Sequence, residues 1–246
     1  MAGTIRSEYR KLFTGLPTLL AFVAALALPP MLAFATGVNM SSGHAAGRVA
    51  VENMGFEVAG FGQPMVILLA ALGIAGEYTG GQIRTTLAAT PDRLRLVVAK
   101  SVVTATTSAF IGLVAAPVSS LLEQWAAAGF SGFHATFTPG MAVNVLTVAL
   151  NYMLIALIAQ SLTLIARSII VTLVVMIPLV LGMTIGLVPI FPILKYMPDL
   201  AGIQLLTTYP GIPLLSPFDG GVIMMLWCAG LVTIATVIFG KRDINN

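Results

Sequence analysis

The chain has 246 residues, 58% of them hydrophobic and only 9% charged, with a net charge of +3. Soluble domains carry about 25% charged residues, so this chain cannot cover a water-facing surface, and a soluble globular fold is excluded. The composition predicts an all-α integral membrane protein, read as one transmembrane domain over 1–246. The one cysteine, Cys228, permits no internal disulfide.

Residues 4–13 place Ile5, Tyr9, Leu12 and Phe13 at helical spacing, with Arg6, Glu8, Arg10 and Lys11 between them. That is the pattern of a short amphipathic helix in the membrane interface, or else of a basic tail. Leu16–Phe34 is the first apolar run. Ala33-Phe34-Ala35 resembles a signal-peptidase site, but the run is long for a signal core and predicts a retained helix. Pro29 and Pro30 are expected to kink or end it. Gly37–Glu57 reads as an exposed loop, and Val58–Ala75 as the second membrane helix.

Gly76–Lys100 follows, a polar stretch with apolar runs on both sides. Gly80 and Gly81 break the preceding helix, and Gln82–Thr90 can form a short helix with Ile83 and Leu87 on one face. Thr90-Pro91-Asp92-Arg93 has the order of a helix start. Ser101–Leu122 is the third span. Glu123–Gly140 is expected as a loop whose Trp125, Phe130, Phe133 and Phe137 suit a membrane–water boundary. Met141–Ile165 is the fourth span, Arg167-Ser168 a tight turn, and Ile169–Val188 the fifth span. Pro189–Ser216 holds five prolines among short apolar pieces and predicts short re-entrant or interfacial helices. Ser216-Pro217-Phe218-Asp219 is a capping-box start for the sixth helix, which runs to about Phe239.

With six helices both termini share one side. That side holds Arg6, Arg10, Lys11, Arg84, Arg93, Arg95, Lys100, Arg167, Lys241 and Arg242, against Arg48 and Lys195 on the other. The asymmetry places both termini and the Gly76–Lys100 stretch in the cytoplasm, at the cell membrane.

Few residues suggest chemistry. Asn144, Thr147 and Asn151 share one face of the fourth helix, with Gln160 further along. They either line a substrate path or hydrogen-bond between helices. Gly182 and Gly186 form a Gly-x-x-x-Gly pair for close helix approach, within the subunit or at a dimer seam. No ionisable group lies mid-span, which counts against an ion-driven carrier. His44 and His134 have no neighbours at metal-ligand spacing. No phosphate-binding Gly-x-x-x-x-Gly-Lys-Ser/Thr occurs.

The acid ending the second helix, then Gly-x-Ile-Arg-x-x-Leu, Pro-x-Arg and a lysine near the third helix resemble the ABC-type-2 transporter permease family. The residues are Glu77, Gly81, Ile83, Arg84, Leu87, Pro91, Arg93 and Lys100. Arg167-Ser168, Pro198–Gly202, Ser216–Gly220 and Arg242-Asp243 agree with it in order and placement. The resemblance implies an exporter half in which two permeases, identical or paralogous, pair above two ATP-binding subunits. It implies that residues 4–13 form an elbow helix and Gln82–Thr90 a coupling helix. Glu77, Gly81, Gln82, Ile83, Arg84, Leu87, Pro91 and Arg93 would then couple to the ATPase. ATP and magnesium are expected in that partner, with no cofactor, catalysis or nucleic-acid binding in this chain. The small outer loops suit an amphiphilic cargo, such as a drug, a natural product or an antimicrobial peptide. An ATP-independent carrier or channel, or a non-transporting anchor or sensor subunit, is the alternative.

Overall fold

The computed structural model describes residues 1–42, 50–78, 93–130, 135–206 and 211–241. Among them there is no strand. The helices are α1 (Ala2–Thr14), α2 (Leu16–Ser41), α3 (Gln63–Tyr78), α4 (Arg93–Ala127), α5 (Pro139–Ala166), α6 (Ile169–Pro178), α7 (Pro198–Ile203) and α8 (Pro217–Lys241). Five segments are long and apolar enough to cross a bilayer: α2, Ala59–Gly76, α4, α5 and α8. Length and apolarity together mark a multi-pass membrane protein.

The amphipathic N-terminal segment is a helix. Its Glu8 and Leu12 are buried, and Ile5 and Tyr9 pack beside them. Gly15 is extended at φ −78°, ψ 123°, and separates α1 from α2. The helix then continues through Pro29 and Pro30 to Ser41. Of the two outcomes expected at the prolines, a kink or an end, this corrects the end, and it moves the start of the loop expected from Gly37. Both prolines are buried, and a Cβ on Gly62 would come within 2.9 Å of Pro29. In a membrane bundle, close neighbours hold a proline-containing helix together where water would unwind it.

The centre of the bundle is α5, packed against α3, α4 and α8. It starts on a Thr138 cap, whose hydroxyl accepts from the Met141 N–H at 3.3 Å. It ends at Arg167, left-handed at φ 52°. The contact with α4 depends on Gly112, where a Cβ would lie 2.6 Å from the Ala149 Cα. The backbones meet there with no room for a side chain.

Two further boundaries depart from expectation. α4 is helical from Arg93, in keeping with the helix start read at Thr90–Arg93, but it runs past the anticipated end at Leu122 and so takes in Glu123, Gln124 and Trp125. The expected fifth span, Ile169–Val188, is not one regular helix. α6 gives way after Pro178 to a wider turn over Leu179–Met183, where Gly182 sits at φ 98°, ψ 15°. Pro178 removes one donor, and Gly182 takes a conformation that other residues resist. The apolar helical segment Ile169–Met183 is consequently shorter than the five spans. Beyond it the proline-rich stretch contributes the short turn Pro192–Tyr196 and α7, both brief helices as anticipated. α8 starts on the expected cap: Ser216 Oγ accepts from the Asp219 N–H at 3.1 Å and donates to Asp219 Oδ2 at 2.7 Å.

Replacing Gly112 by valine should push α4 from α5 and destabilise the protein by roughly 1–3 kcal/mol, the usual scale of overpacking. Gly73→Ala, at a helix position with open space around it, should leave the thermal unfolding midpoint in detergent almost unchanged. Equal midpoints for the two variants would refute the close contact.

Candidate functional site

The polar stretch between α3 and α4 carries most of the expected coupling residues. Gly81, Gln82, Ile83, Arg84, Leu87 and Pro91 lie outside the described residues, as do the side chain of Glu77 and the proposed Gln82–Thr90 helix. What is described is the pair of helix ends on either side, and both are tied to other parts of the bundle.

Arg93, in the first turn of α4, donates from Nη1 to the carbonyls of Phe239 and Gly240, each at 3.4 Å. Those carbonyls belong to the last turn of α8 and have no partner further along their own helix. A guanidinium there satisfies them and complements the negative end of the helix dipole.

Two turns on, Lys100 enters the bundle. Its Nζ donates to Glu8 Oε2 at 2.6 Å and to the Gly73 carbonyl at 3.4 Å. Lys100 is 5% exposed and Glu8 6%. The other Glu8 oxygen, Oε1, accepts from Lys11 at 2.7 Å. Tyr9 adds a hydrogen bond between its hydroxyl and Thr106 of α4. The N-terminal helix is therefore held to α4 by a buried ion pair. Burial alone would raise the Glu8 carboxyl, but the Lys100 ammonium and then Lys11 outweigh it and hold Glu8 below the ordinary glutamate range.

Beside this pair opens a cavity of about 660 Å³ between α1, the start of α2, the end of α3, and α4. Its charged lining is Glu8, Lys11 and Lys100. Leu12, Leu72 and Val103 supply part of its apolar wall.

Lys100 entered the sequence reading as a motif residue, whereas its partner Glu8 was not singled out. A signal for Glu8 was present. Ile5, Glu8 and Leu12 fall at i, i+3 and i+7 on one helix face, which puts the acid among the apolar residues.

The candidate path residues are occupied in packing. Asn151 is completely buried. Its Oδ1 accepts from Gln63 Nε2 at 2.8 Å, and its Nδ2 donates to the Gly202 carbonyl at 2.8 Å. Asn144 donates to the Glu52 carbonyl at 2.9 Å, and the Thr147 hydroxyl bonds back to the Asn144 carbonyl at 3.0 Å. Asn144 and Asn151 thus hydrogen-bond to other segments, while Thr147 bonds within α5. Gln160 likewise reaches Ser101 of α4 at 2.9 Å. Among the described residues, Gly182 and Gly186 meet no neighbouring helix. A Cβ on Gly182 would meet only Ile185 in its own turn, and one on Gly186 would meet nothing within 4 Å.

At the other end of α4 the expected loop is helix, and Glu123 is fully buried in it. Glu123 Oε2 accepts from the Gly55 N–H at 2.7 Å. Its Oε1 has no hydrogen-bond partner among the described residues. Gly55 is left-handed at φ 82°, and a Cβ there would strike the Ser120 backbone at 2.3 Å. Trp125, Phe34 and Phe130 cluster nearby with ring centroids 5.0–6.0 Å apart. A second buried acid, Asp199 of α7, receives a hydrogen bond from Thr184. Burial pushes its carboxyl above the ordinary range, and hydrogen bonds from Thr184 and the backbone only partly offset this.

No protein-family model matches this chain. No curated protein matches it either.

Two outcomes follow from the Glu8–Lys100 pair. Lys100→Met leaves the buried Glu8 carboxylate with Lys11 alone and should cost up to roughly 3–5 kcal/mol, while the double variant Glu8→Gln, Lys100→Met should recover most of it. Unfolding of all three proteins in detergent measures this, and a double variant as unstable as the single one refutes it. Glu8 has a depressed pKa when folded. Its contribution is complete above the unfolded glutamate pKa and is lost as pH falls through the lower folded value. Native protein should therefore lose stability on acidification below the ordinary glutamate range. The Glu8→Gln, Lys100→Met protein should lose less.

Proposed function

We propose that this chain is the membrane subunit of an ATP-driven exporter of the ABC-type-2 kind. α1 acts as the elbow helix, lying in the cytoplasmic interface, and residues 82–90 form the coupling helix. Six crossings complete the domain, with Ile169–Met183 as the short fifth crossing and the turns after it finishing the depth. Two such permeases, identical or paralogous, pair in the cell membrane with both termini cytoplasmic. Two separate ATP-binding subunits dock beneath them and hold the ATP and magnesium. The cargo is an amphiphile taken from the membrane, such as a drug, a natural product or an antimicrobial peptide, and export by alternating access could give the producing cell self-resistance.

The observation that carries this reading is the Lys100–Glu8 pair at 2.6 Å, with both groups buried. The helix that leaves the polar stretch is fastened within its first turns to the N-terminal amphipathic helix. Arg93 fastens the same helix to the end of α8. A push delivered to residues 79–92 would therefore reach three elements together, as coupling to a motor in another chain requires. Glu77, Gly81, Gln82, Ile83, Arg84, Leu87, Pro91 and Arg93 are the residues proposed to receive that push.

The test is co-expression with an ATP-binding-cassette subunit, taken from beside this gene if one is encoded there, followed by purification through a tag on the permease. The ATPase should be retained. Arg84→Ala combined with a Gly/Ser replacement of 82–90 should reduce substrate-stimulated ATP hydrolysis at least tenfold. Failure to retain an ATPase, or unchanged coupling in the replaced protein, overturns the proposal.

A further inference from the structure

Asp199 lies where the chain has just changed course. The helix that starts at Ile169 breaks at Pro178 and Gly182, and Thr184, just past the break, donates a hydrogen bond to Asp199 Oδ2 in α7. Both residues are buried. The other carboxyl oxygen, Oδ1, has no hydrogen-bond partner among the described residues. α7 packs against α5, α8 and the turns Leu179–Met183 and Pro192–Tyr196. The ionisable groups on those elements have other places. Lys195 holds its ammonium 5.2 Å from the Tyr196 ring centroid, Asp219 bonds to Ser216, and the Tyr152 hydroxyl donates to the Ala59 carbonyl. Tyr196, Cys228 and Lys241 complete the set. None of them acts on Asp199, whose surroundings reduce to burial, the Thr184 hydroxyl and the N–H groups of Asp199 and Leu200. An unpartnered buried oxygen costs less on a neutral acid than on a carboxylate, so Asp199 keeps its proton to higher pH than an exposed aspartate.

We propose that Asp199 is a proton-binding site, and that its neutral carboxyl latches α7 to the chain beyond the break at Gly182 until the proton is lost. The neutral acid accepts from Thr184 through Oδ2 and carries its proton on Oδ1. When that O–H bond breaks, the proton passes to water and leaves a carboxylate that no cation faces among the described residues. The carboxylate gains hydration by drawing α7 away from Thr184. α7 is six residues long, and its other side-chain ties are single hydrogen bonds. Asn151 donates to the Gly202 carbonyl at 2.8 Å, and Trp227 to the Tyr196 carbonyl just before the helix at 2.8 Å. Gly182, left-handed at φ 98°, lets the segment carrying Thr184 turn independently of α6. The sign follows from linkage. In the open state Asp199 titrates as an ordinary aspartate, and in the closed state it titrates higher. Between those two values opening releases one proton, so it becomes more favourable as pH rises. The latch is independent of the exporter reading and stands or falls whether or not an ATPase is retained.

The experiment is hydrogen exchange of the full chain in detergent, read by mass spectrometry from about pH 4 to about pH 8. Protection is taken relative to the chemical exchange rate at each pH. The amides of 200–206 should lose protection as pH rises, by up to about tenfold per pH unit, the limit for one proton. Those of 152–160, in the buried middle of α5, should keep theirs. Asp199→Asn has nearly the same shape and no proton to lose, so its 200–206 amides should stay protected throughout. Thr184→Val removes a donor that favours the charged form and should carry the loss of protection to higher pH. Protection of 200–206 that does not change with pH in the native chain, the same slope in Asp199→Asn, or an equal loss over 152–160 overturns the proposal. If Asp199→Asn does not fold, Thr184→Val decides, and an unshifted profile there overturns it.

Discussion

Asn151 sits where a membrane protein can least tolerate an unsatisfied amide, and much of the bundle is placed by how it is satisfied. In hydrocarbon a polar group without a partner costs several kcal/mol. Asn151 takes the Gln63 amide at the start of α3 and gives a hydrogen bond to the Gly202 carbonyl near the end of α7. The next residue, Tyr152, points elsewhere on α5 and donates to the Ala59 carbonyl at 2.6 Å. Two consecutive residues thereby fix the entry to α3 from both sides and anchor the short helix of the proline-rich segment. Glycines make this possible. A Cβ on Gly62 would lie 2.0 Å from the Tyr152 hydroxyl, and one on Gly202 would lie 2.8 Å from the Asn151 amide nitrogen.

The opposite end of the bundle is fixed by charge instead. An ion pair at Glu8 and Lys100 gains little over a hydrophobic pair of equal volume, because both partners are desolvated. What it supplies is register, since only one seating of α1 on α4 brings the two groups together. This end also holds the cavity lined by Glu8, Lys11 and Lys100. The polar stretch 79–92 leaves α3 just beyond Gly73–Gly76, which line that cavity, and rejoins the chain just before Arg93.

The existence of the helices was legible because apolar runs of spanning length have few alternatives in a chain so poor in charge. The Ser216–Asp219 cap was legible because capping is local, with every partner within three residues. Boundaries were misread where a local rule met a tertiary exception. Pro29 and Pro30 would end a helix in water, but packed beside Gly62 they do not. Glu123 looked like a loop residue, since nothing in sequence announces that Gly55, 68 positions away, offers it an N–H. Gly182 looked like a packing residue and is a conformational break. The site was half legible for the same reason. Lys100 stood out by position, while its pairing with Glu8 across 92 residues is a property of the fold.

The break at Gly182 bears on how the chain meets the bilayer. Ile169–Met183 has 15 helical residues, about 22 Å at 1.5 Å per residue against a hydrocarbon core of about 30 Å. A helix that ended this early in lipid would leave its last carbonyls bare. The chain beyond it makes polar contacts instead. Thr184 hydrogen-bonds Asp199, Lys195 stacks its ammonium 5.2 Å from the Tyr196 ring centroid, and Trp227 donates from Nε1 to the Tyr196 carbonyl at 2.8 Å. Tyrosine, tryptophan and lysine are the residues that settle at headgroup level. The short turns at Ile185–Leu187 and Pro192–Tyr196 follow the break, and the hydrogen bonds at Thr184 and Tyr196 tie this stretch to α7 and α8. A proline and a glycine that would ruin a regular spanning helix are acceptable here because the chain that follows them is held to α7 and α8 by side-chain hydrogen bonds rather than by a helical ladder of its own.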